Sequence, residues 1–203
     1  LQDFDPMLYE ERIARKFYTN GGGLLTGAAG TGKTPFSDKV VELIQDKKPE
    51  TRIIRAALTH VAALLQKGQT IAHIMHKHLK ETDAWFIFDE VSMIPSQLMG
   101  HIARWKMMGN KILLIGDFKG QFLPIFDRWG ESKGIETSHL LHSLCNGLHI
   151  NLTEYRRGKN PMTGTVGDPA LFQFYHNKLY YSDFVADFKR YVRLAKRLYQ
   201  CTD

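Results

Sequence analysis

The segment that decides the fold is Gly27-Ala28-Ala29-Gly30-Thr31-Gly32-Lys33-Thr34, which fits the pattern G-x-x-x-x-G-K-[ST]. Three glycines let the backbone curl so tightly that successive N–H groups face one anion, and a following helix adds its positive end. In this pattern the lysine reaches the β- and γ-phosphates and the hydroxyl after it binds Mg²⁺. We therefore predict that these eight residues bind a nucleoside triphosphate, with Lys33 on the phosphates and Thr34 on the metal.

The residues on either side of this loop have the patterns that a phosphate-binding loop requires. Leu24 and Leu25 belong to a short apolar run that is typical of a buried strand. After the loop, apolar residues at positions 36, 40, 41, 43 and 44 follow a helical period. Pro35 is compatible with this helix because a first-turn N–H has no partner within the helix. The order strand, loop, helix therefore favours a phosphate site over a chance glycine-rich turn.

The rest of the chain alternates between strand and helix patterns. The pattern predicts strands at 22–26, 52–58, 85–89, 112–116 and 148–152, and helices at 34–46, 60–66, 71–80 and 96–107. The runs 85–88 and 112–115 are continuously apolar, as expected of strands buried on both faces of a parallel sheet. We therefore predict an α/β fold with a parallel sheet and helices on both faces.

Composition limits the class of protein. The 203 residues are 43% hydrophobic and 24% charged, which is typical of a globular domain. No apolar run is long enough to span a membrane, so no membrane partner is expected. The net charge of +6 is compatible with a polyanion partner, although many basic proteins bind no nucleic acid. Two cysteines, Cys145 and Cys201, are too few for a disulfide framework, which favours a reducing, intracellular location in cytoplasm or nucleus.

A second nucleotide-binding signature follows the predicted strand 85–89. Asp89 and Glu90 form a pair of carboxylates directly after a buried apolar run. Burying an ionised group is costly, so a structural reason alone rarely places two carboxylates there. The first carboxylate of such a pair holds Mg²⁺ and the second polarises the attacking water. We predict that Asp89 binds the metal with Thr34 and that Glu90 is the general base.

This carboxylate segment, residues 89–93, resembles motif II of superfamily-one helicases, particularly the branch that contains RecD and Dda. In the same order, residues 56–63 resemble motif Ia, residues 70–73 the Thr-Ile-His element, residues 116–124 motif III and residues 152–157 motif IV. The resemblance spans about residues 22 to 158. It implies a P-loop NTPase with a RecA-like fold, ATP and Mg²⁺ as cofactors, and an ATP-dependent DNA helicase motor. A role in viral or phage DNA replication or repair is expected by analogy.

The resemblance also assigns roles to individual residues. Motifs III and IV of the family place a Gln and an Arg near the γ-phosphate, which implies that Gln121 and Arg156 are catalytic together with Lys33 and Glu90. The family pattern in motif III is Gly-Asp-x-x-Gln, and this chain has one extra residue, Gly120, before Gln121.

Contacts with nucleic acid are implied at three positions. Motif Ia and the Thr-Ile-His element contact single-stranded DNA in the family, which implies that Thr59, His60 and His73 do so here. Simple capping of the next helix by Thr59 is an equal alternative from its residue type. RNA instead of DNA is also compatible with the sequence. His73, His76 and His78 lie close in sequence, but position 78 turns away on a helix, so a zinc site is disfavoured.

The motifs set the expected domain organisation. We predict a RecA-like ATPase domain, helicase domain 1A, over residues 1–158, and a helical extension over 159–203. The family's motifs V and VI are not present in these 203 residues, so the resemblance implies a second motor domain as a partner. Two alternatives stay open: a nucleotide-gated single-strand-binding module without independent catalysis, and a P-loop kinase. Phosphate transfer to an acceptor instead of water would identify the kinase.

Overall fold

The computed structural model describes residues 6–118, 135–160, 163–169, 172, 173, 189, 192 and 193. Its helices within these residues are α1 (Pro6–Asn20), α2 (Lys33–Lys47), α3 (His60–Leu65), α4 (Ile71–Lys77), α5 (Ser96–Met107) and α6 (His139–Leu144). Its strands there are β1 (Gly22–Gly27), β2 (Ile53–Ala57), β3 (Gln69–Thr70), β4 (Trp85–Asp89), β5 (Lys111–Gly116) and β6 (His149–Leu152). None of the helices in this described part of the chain is both long and apolar enough to cross a membrane.

The chain divides into two compact units. The first contains residues 1–27 and 33–152, and the second contains residues 28–32 and 153–203. All strands named above belong to the first unit. The predicted boundary at residue 158, between an ATPase domain and a helical extension, stays a prediction.

The strands of the first unit form one parallel sheet in the order β3-β2-β4-β5-β1-β6. Chain-consecutive strands are separated by helices, which parallel pairing requires because the connection must cross the sheet. Strands β4, β5 and β1 lie inside the sheet and are almost completely buried. The predicted α/β fold with a RecA-like parallel sheet is therefore confirmed.

Helices cover both faces of this sheet. Successive strand residues point to opposite faces, so Phe86 and Phe88 pack with one apolar cluster, which includes residues of α4, α5 and α6. Trp85 and Ile87 pack with the other, which includes residues of α1 and α2. Each face thus has its own core, and the sheet is held rigidly between them.

All nine predicted strands and helices are present, with ends that differ by at most a few residues. The helix predicted over 71–80 ends earlier, at Lys77, because His78 leaves helical geometry with φ −117° and ψ 29°. Helices α1 and α6 and the short strand β3 were not predicted from the sequence.

Candidate nucleotide and nucleic-acid site

The end of β1 and the start of α2 are linked through a lysine. Gly27 is the last residue of β1 and Lys33 the first of α2. The Lys33 ammonium donates a hydrogen bond to the Gly27 carbonyl oxygen over 2.7 Å. An ammonium held against a backbone carbonyl at the end of a parallel strand is at the edge where such sheets bind ligands. In the first unit, Lys33 therefore lies at this edge of the sheet, and its contact with phosphates stays a prediction.

The second unit contains the intervening turn, residues 28–32. The Thr31 hydroxyl donates to the Ala28 carbonyl over 2.8 Å. Gly30 has φ +86°, and a Cβ at this position would lie 2.3 Å from Cε2 of Tyr155. Only glycine fits such a position without strain. The Gly30 carbonyl also accepts from the backbone N–H groups of Arg156 and Arg157 over 2.8 and 3.0 Å.

Arg156 is therefore attached to this turn through its backbone. Its guanidinium Nη2 lies 3.8 Å from Oε2 of Glu154, a carboxylate that also lies 3.8 Å from Lys159 Nζ. Glu154 and Lys159 are exposed, Arg156 is partly buried, and both distances are long, so the pairs contribute little to stability. The predicted approach of Arg156 to a γ-phosphate stays a prediction.

Asp89, the predicted metal ligand, and Glu90, the predicted general base, stand at the end of β4. Asp89 Oδ1 accepts from the backbone N–H of Glu90 over 2.8 Å, and its Oδ2 accepts from Nε2 of Gln66. Burial, helped by the charge of Glu90, raises the pKa of the Asp89 carboxyl above its ordinary 3.8. The N–H of Glu90 and the ammonium of Lys33 act in the opposite direction.

A divalent cation suits this arrangement. The raised pKa of Asp89 means that burial disfavours the ionised carboxylate more than the neighbouring donors and Lys33 favour it. A bound cation would therefore stabilise the charged form. Mg²⁺ prefers carboxylate and hydroxyl oxygens, which Asp89 and Thr34 supply. Thr34 also lines a cavity of about 460 Å³, together with Asp38 and Gln66. The residues present therefore fit Mg²⁺.

Glu90 has an unusual backbone and a polar neighbour. Its φ of +55° is in the left-handed region, which a non-glycine residue adopts at an energetic cost that is often found at functional sites. The Thr59 hydroxyl donates to Oε2 of Glu90 over 3.4 Å. The Thr59 hydroxyl oxygen also accepts from the N–H of Ala62 over 3.2 Å, which makes Thr59 the N-cap of α3. Both predicted roles of Thr59 are thus compatible with its geometry.

The other residues predicted to contact nucleic acid lie at the surface. His60 begins α3 and His73 belongs to α4, and both are exposed. Beside His60, the side chains of Val61, Leu64 and Leu65 are 69 to 79% exposed, which is unusual for apolar residues on one short helix. His78 is buried instead, with Nδ1 3.1 Å from Oε2 of Glu81. Within the residues that the structure describes, no group of three His, Cys, Asp or Glu side chains is arranged for a metal ion.

Gln121 lies outside the described residues, although Gly116 and Asp117, which begin its motif, lie within them. The contact of Gln66 with Asp89 was not predicted. No sequence signal indicates it, because the two residues are 23 positions apart and meet only through the parallel sheet.

Comparison with known proteins gives a family and a fold. A family model described as AAA domain matches residues 11–125, more than half of the chain. No curated protein matches the chain. The Pif1 helicase from Candida albicans is similar in structure, with a TM-score of 0.60, 20% sequence identity, and coverage of 84% of this chain and 43% of that one.

Two bacterial structures are similar as well. Bacteroides Pif1 bound to ssDNA has a TM-score of 0.60 at 18% identity, covering 93% of this chain and 49% of that one. Bacteroides sp Pif1 in complex with ADP-AlF4 has a TM-score of 0.53 at 18% identity, covering 87% and 47%. The chain therefore spans less than half of each Pif1 structure. It shares the RecA-like α/β fold of these structures, the fold class that the motif resemblance predicted.

Proposed function

We propose, because the chain belongs to the AAA domain family, that it binds ATP with Mg²⁺ and hydrolyses it as the first motor domain of a DNA helicase. The observation that carries this proposal is that Lys33, at the start of α2, bonds the Gly27 carbonyl at the end of β1, while Asp89 and Glu90 stand at the end of β4. Because β1 and β4 belong to one parallel sheet, the lysine and the carboxylates lie at the same edge of that sheet in the first unit. This pairing is what a site for a metal-bound triphosphate requires.

Each residue then has a defined task. Lys33 and the backbone N–H groups of residues 27–32 bind the phosphates. Thr34 and Asp89 hold Mg²⁺, which neutralises charge on the phosphate oxygens when it is bound. Glu90 accepts a proton from the attacking water.

Two further roles come from the motif resemblance. Gln121 and Arg156 respond to the γ-phosphate, and they complete the set of catalytic groups that this chain supplies. An additional arginine from a second motor domain is expected to be needed for efficient turnover, because such groups contribute greatly to phosphoryl transfer.

Single-stranded DNA is the proposed track, with RNA as the other possibility. Support comes from the ssDNA in a Bacteroides Pif1 structure, from the net charge of +6 and from the exposed start of α3. Thr59 can donate its hydroxyl to a phosphate, and His60 and His73 are accessible for contacts. A role in viral or phage replication or repair, inside the cell, belongs to the same proposal and is supported by resemblance alone.

Phosphate release by the purified chain tests the proposal. ATP is supplied with and without oligo-dT, at low and moderate salt, beside Lys33→Ala. We expect Lys33-dependent turnover that oligo-dT stimulates and that weakens as salt rises, because phosphate contacts release counterions. Turnover that is unchanged in Lys33→Ala would contradict the proposed site.

A second candidate function is a nucleotide-gated single-strand-binding module. The observation that favours it is that the chain spans less than half of each Pif1 structure, so hydrolysis can depend on groups outside these 203 residues even if nucleotide and oligo-dT bind to them. Nucleotide and oligo-dT binding without phosphate release, even at high enzyme concentration, would identify this function.

A further inference from the structure

Gln66 joins helix α3 to the carboxylate at the end of β4. The residue is 7% exposed, and its Nε2 donates to Oδ2 of Asp89. This orientation of the amide is the chemically reasonable one, because the reverse would place a carbonyl oxygen against a carboxylate. Asp89 thus has one oxygen bound by Gln66 and the other by the N–H of Glu90.

The position of Gln66 is fixed by its own backbone. It is the C-cap of α3, with its N–H directed at the Ala62 carbonyl over 3.2 Å. Its carbonyl accepts from Nη1 of Arg55 over 3.3 Å, while Nη2 of Arg55 donates to Oδ1 of Asp38 over 2.6 Å. The guanidinium therefore links Gln66 to α2, the helix that begins with Lys33.

The chain after Gln66 packs directly on β2. A Cβ at Gly68 would lie 2.6 Å from the carbonyl oxygen of Arg55, so the two backbones approach as closely as only glycine allows. The amide of Gln66 is therefore presented to Asp89 from a rigid support.

We propose that Gln66 is a positioning residue for the metal site: its amide orients the Asp89 carboxylate so that the remaining lone pairs face Mg²⁺ or a water bound to it. Carboxylates that bind metals are themselves held by hydrogen bonds, and loss of such a partner weakens metal binding. The inference rests on the proposed function, because it assumes that nucleotide and Mg²⁺ bind here. In this role Gln66 acts through the Asp89 carboxylate and is a positioning residue, not a catalytic one.

Fluorescence of N-methylanthraniloyl-ADP, titrated with Mg²⁺ and separately in EDTA, tests this role. The variant is Gln66→Met, which keeps the size of the side chain and removes the donor. Gln45→Met is the matched control, because Gln45 is an exposed residue of α2 that lines the same cavity as Gln66. We expect Gln66→Met to weaken the apparent affinity for Mg²⁺ roughly 10- to 100-fold, with metal-free nucleotide affinity unchanged.

A double-mutant cycle makes the test specific to Asp89. In an Asp89→Asn background, Gln66→Met should produce little further loss of Mg²⁺ affinity, since residues that act through one contact are not additive. Thermal unfolding of each variant accompanies the titrations, and Gln66→Leu replaces Gln66→Met if that variant does not fold.

Three results would overturn the inference. Parental Mg²⁺ dependence in Gln66→Met would show that the amide does not position the carboxylate. Equal losses of metal-free and Mg²⁺-dependent binding would show a structural role only. If the parent protein binds the nucleotide with the same affinity with and without Mg²⁺, the proposed metal site is contradicted. The role proposed for Gln66 then fails as well.

Discussion

The Thr59 hydroxyl lies 3.4 Å from Oε2 of Glu90, to which it donates, and accepts from the N–H of Ala62. One side chain therefore caps helix α3 and touches the predicted general base. Thr59, implied as a nucleic-acid contact, and Glu90, the predicted base, were identified from separate motifs, and their side chains are in direct contact. A change at the Thr59 hydroxyl therefore reaches Glu90 through one hydrogen bond.

We expect Thr59→Val to lower the free energy of unfolding by about 1 kcal/mol, because the Ala62 N–H loses its acceptor. Ser138→Ala is the control, since Ser138 caps α6 by accepting from the N–H of Leu141 over 3.2 Å and lies outside the predicted nucleic-acid motifs. Urea unfolding compares their stabilities, and anisotropy of labelled oligo-dT compares their affinities. If Thr59 contacts nucleic acid, its variant should bind oligo-dT more weakly than the Ser138 variant. Equal affinities would leave Thr59 with the capping role alone.

Lys33→Ala should reduce affinity for ATP by roughly 10-fold or more, the value of a hydrogen bond to a charged group. Lys39→Ala is the control on the same helix, where the Lys39 ammonium pairs with Glu42 at 2.7 Å. Equilibrium titration with a fluorescent ATP analogue measures both variants. Similar affinities for the two would mean that Lys33 does not reach the phosphates.

Glu90→Gln should bind nucleotide as the parent does and hydrolyse it roughly 100-fold more slowly, which is the usual contribution of a general base. The amide can still accept from the Thr59 hydroxyl, so the local structure should persist. Phosphate release and nucleotide affinity are measured on the same preparation. Hydrolysis at the parental rate would assign the base to another residue.

The sequence predicted most of the sheet because its signals are local. The loop pattern at 27–34 and the apolar runs at 85–88 and 112–115 each depend on adjacent residues, and the strands they predict lie in the middle of the sheet. Parallel pairing then brings the ends of β1 and β4 to one edge, so the placement of Lys33 and Asp89 followed from the fold.

Helix α1, strand β3 and the Gln66–Asp89 contact were not predicted, because their sequence signals are weak or lie far apart along the chain. Helix α1 buries Ile13 and Phe17, which are four apart as on one helix face, but charged residues separate them. Only the pair Asp5-Pro6 marks the start of this helix in the sequence. Strand β3 has only two residues, too few for any period. The contact of Gln66 with Asp89 joins residues from different elements, so no spacing along the chain reveals it.

Asn110 should be important for stability, although it has no predicted function. It is 2% exposed; its Oδ1 accepts from the N–H of Ala84 over 2.9 Å, and its Nδ2 donates to the carbonyls of Glu81 and Trp105. Asn110→Ala leaves buried groups without partners and should cost roughly 3 kcal/mol. Urea unfolding measures this against Gln45→Ala, an exposed control. A loss no larger than that of the control would mean that other groups or water replace the amide.

Asp89→Asn should stabilise the metal-free protein at neutral pH. Burial raises the pKa of Asp89 above its ordinary 3.8, so the folded protein holds this proton more tightly than the unfolded chain does. The free energy of unfolding therefore falls as the pH rises from the pKa of Asp89 in the unfolded chain through its higher pKa in the folded protein. Above both pKa values the full cost of burying the charged carboxylate is present. Asparagine has no charge to bury, and the amide of Gln66 can rotate to accept from it.

Thermal unfolding in EDTA between pH 3 and pH 8 measures this effect as the difference between Asp89→Asn and the parent, which should grow with pH. Asp83→Asn is a control of opposite sign, because a hydrogen bond from Lys111 lowers the pKa of the exposed Asp83. A pH-independent difference at Asp89 would mean that its burial does not penalise the charge. Adding Mg²⁺ with ADP should then stabilise the parent more than Asp89→Asn. The Asp89 carboxylate, which destabilises the metal-free protein, is the proposed metal ligand, and a ligand that binds only the folded state stabilises it.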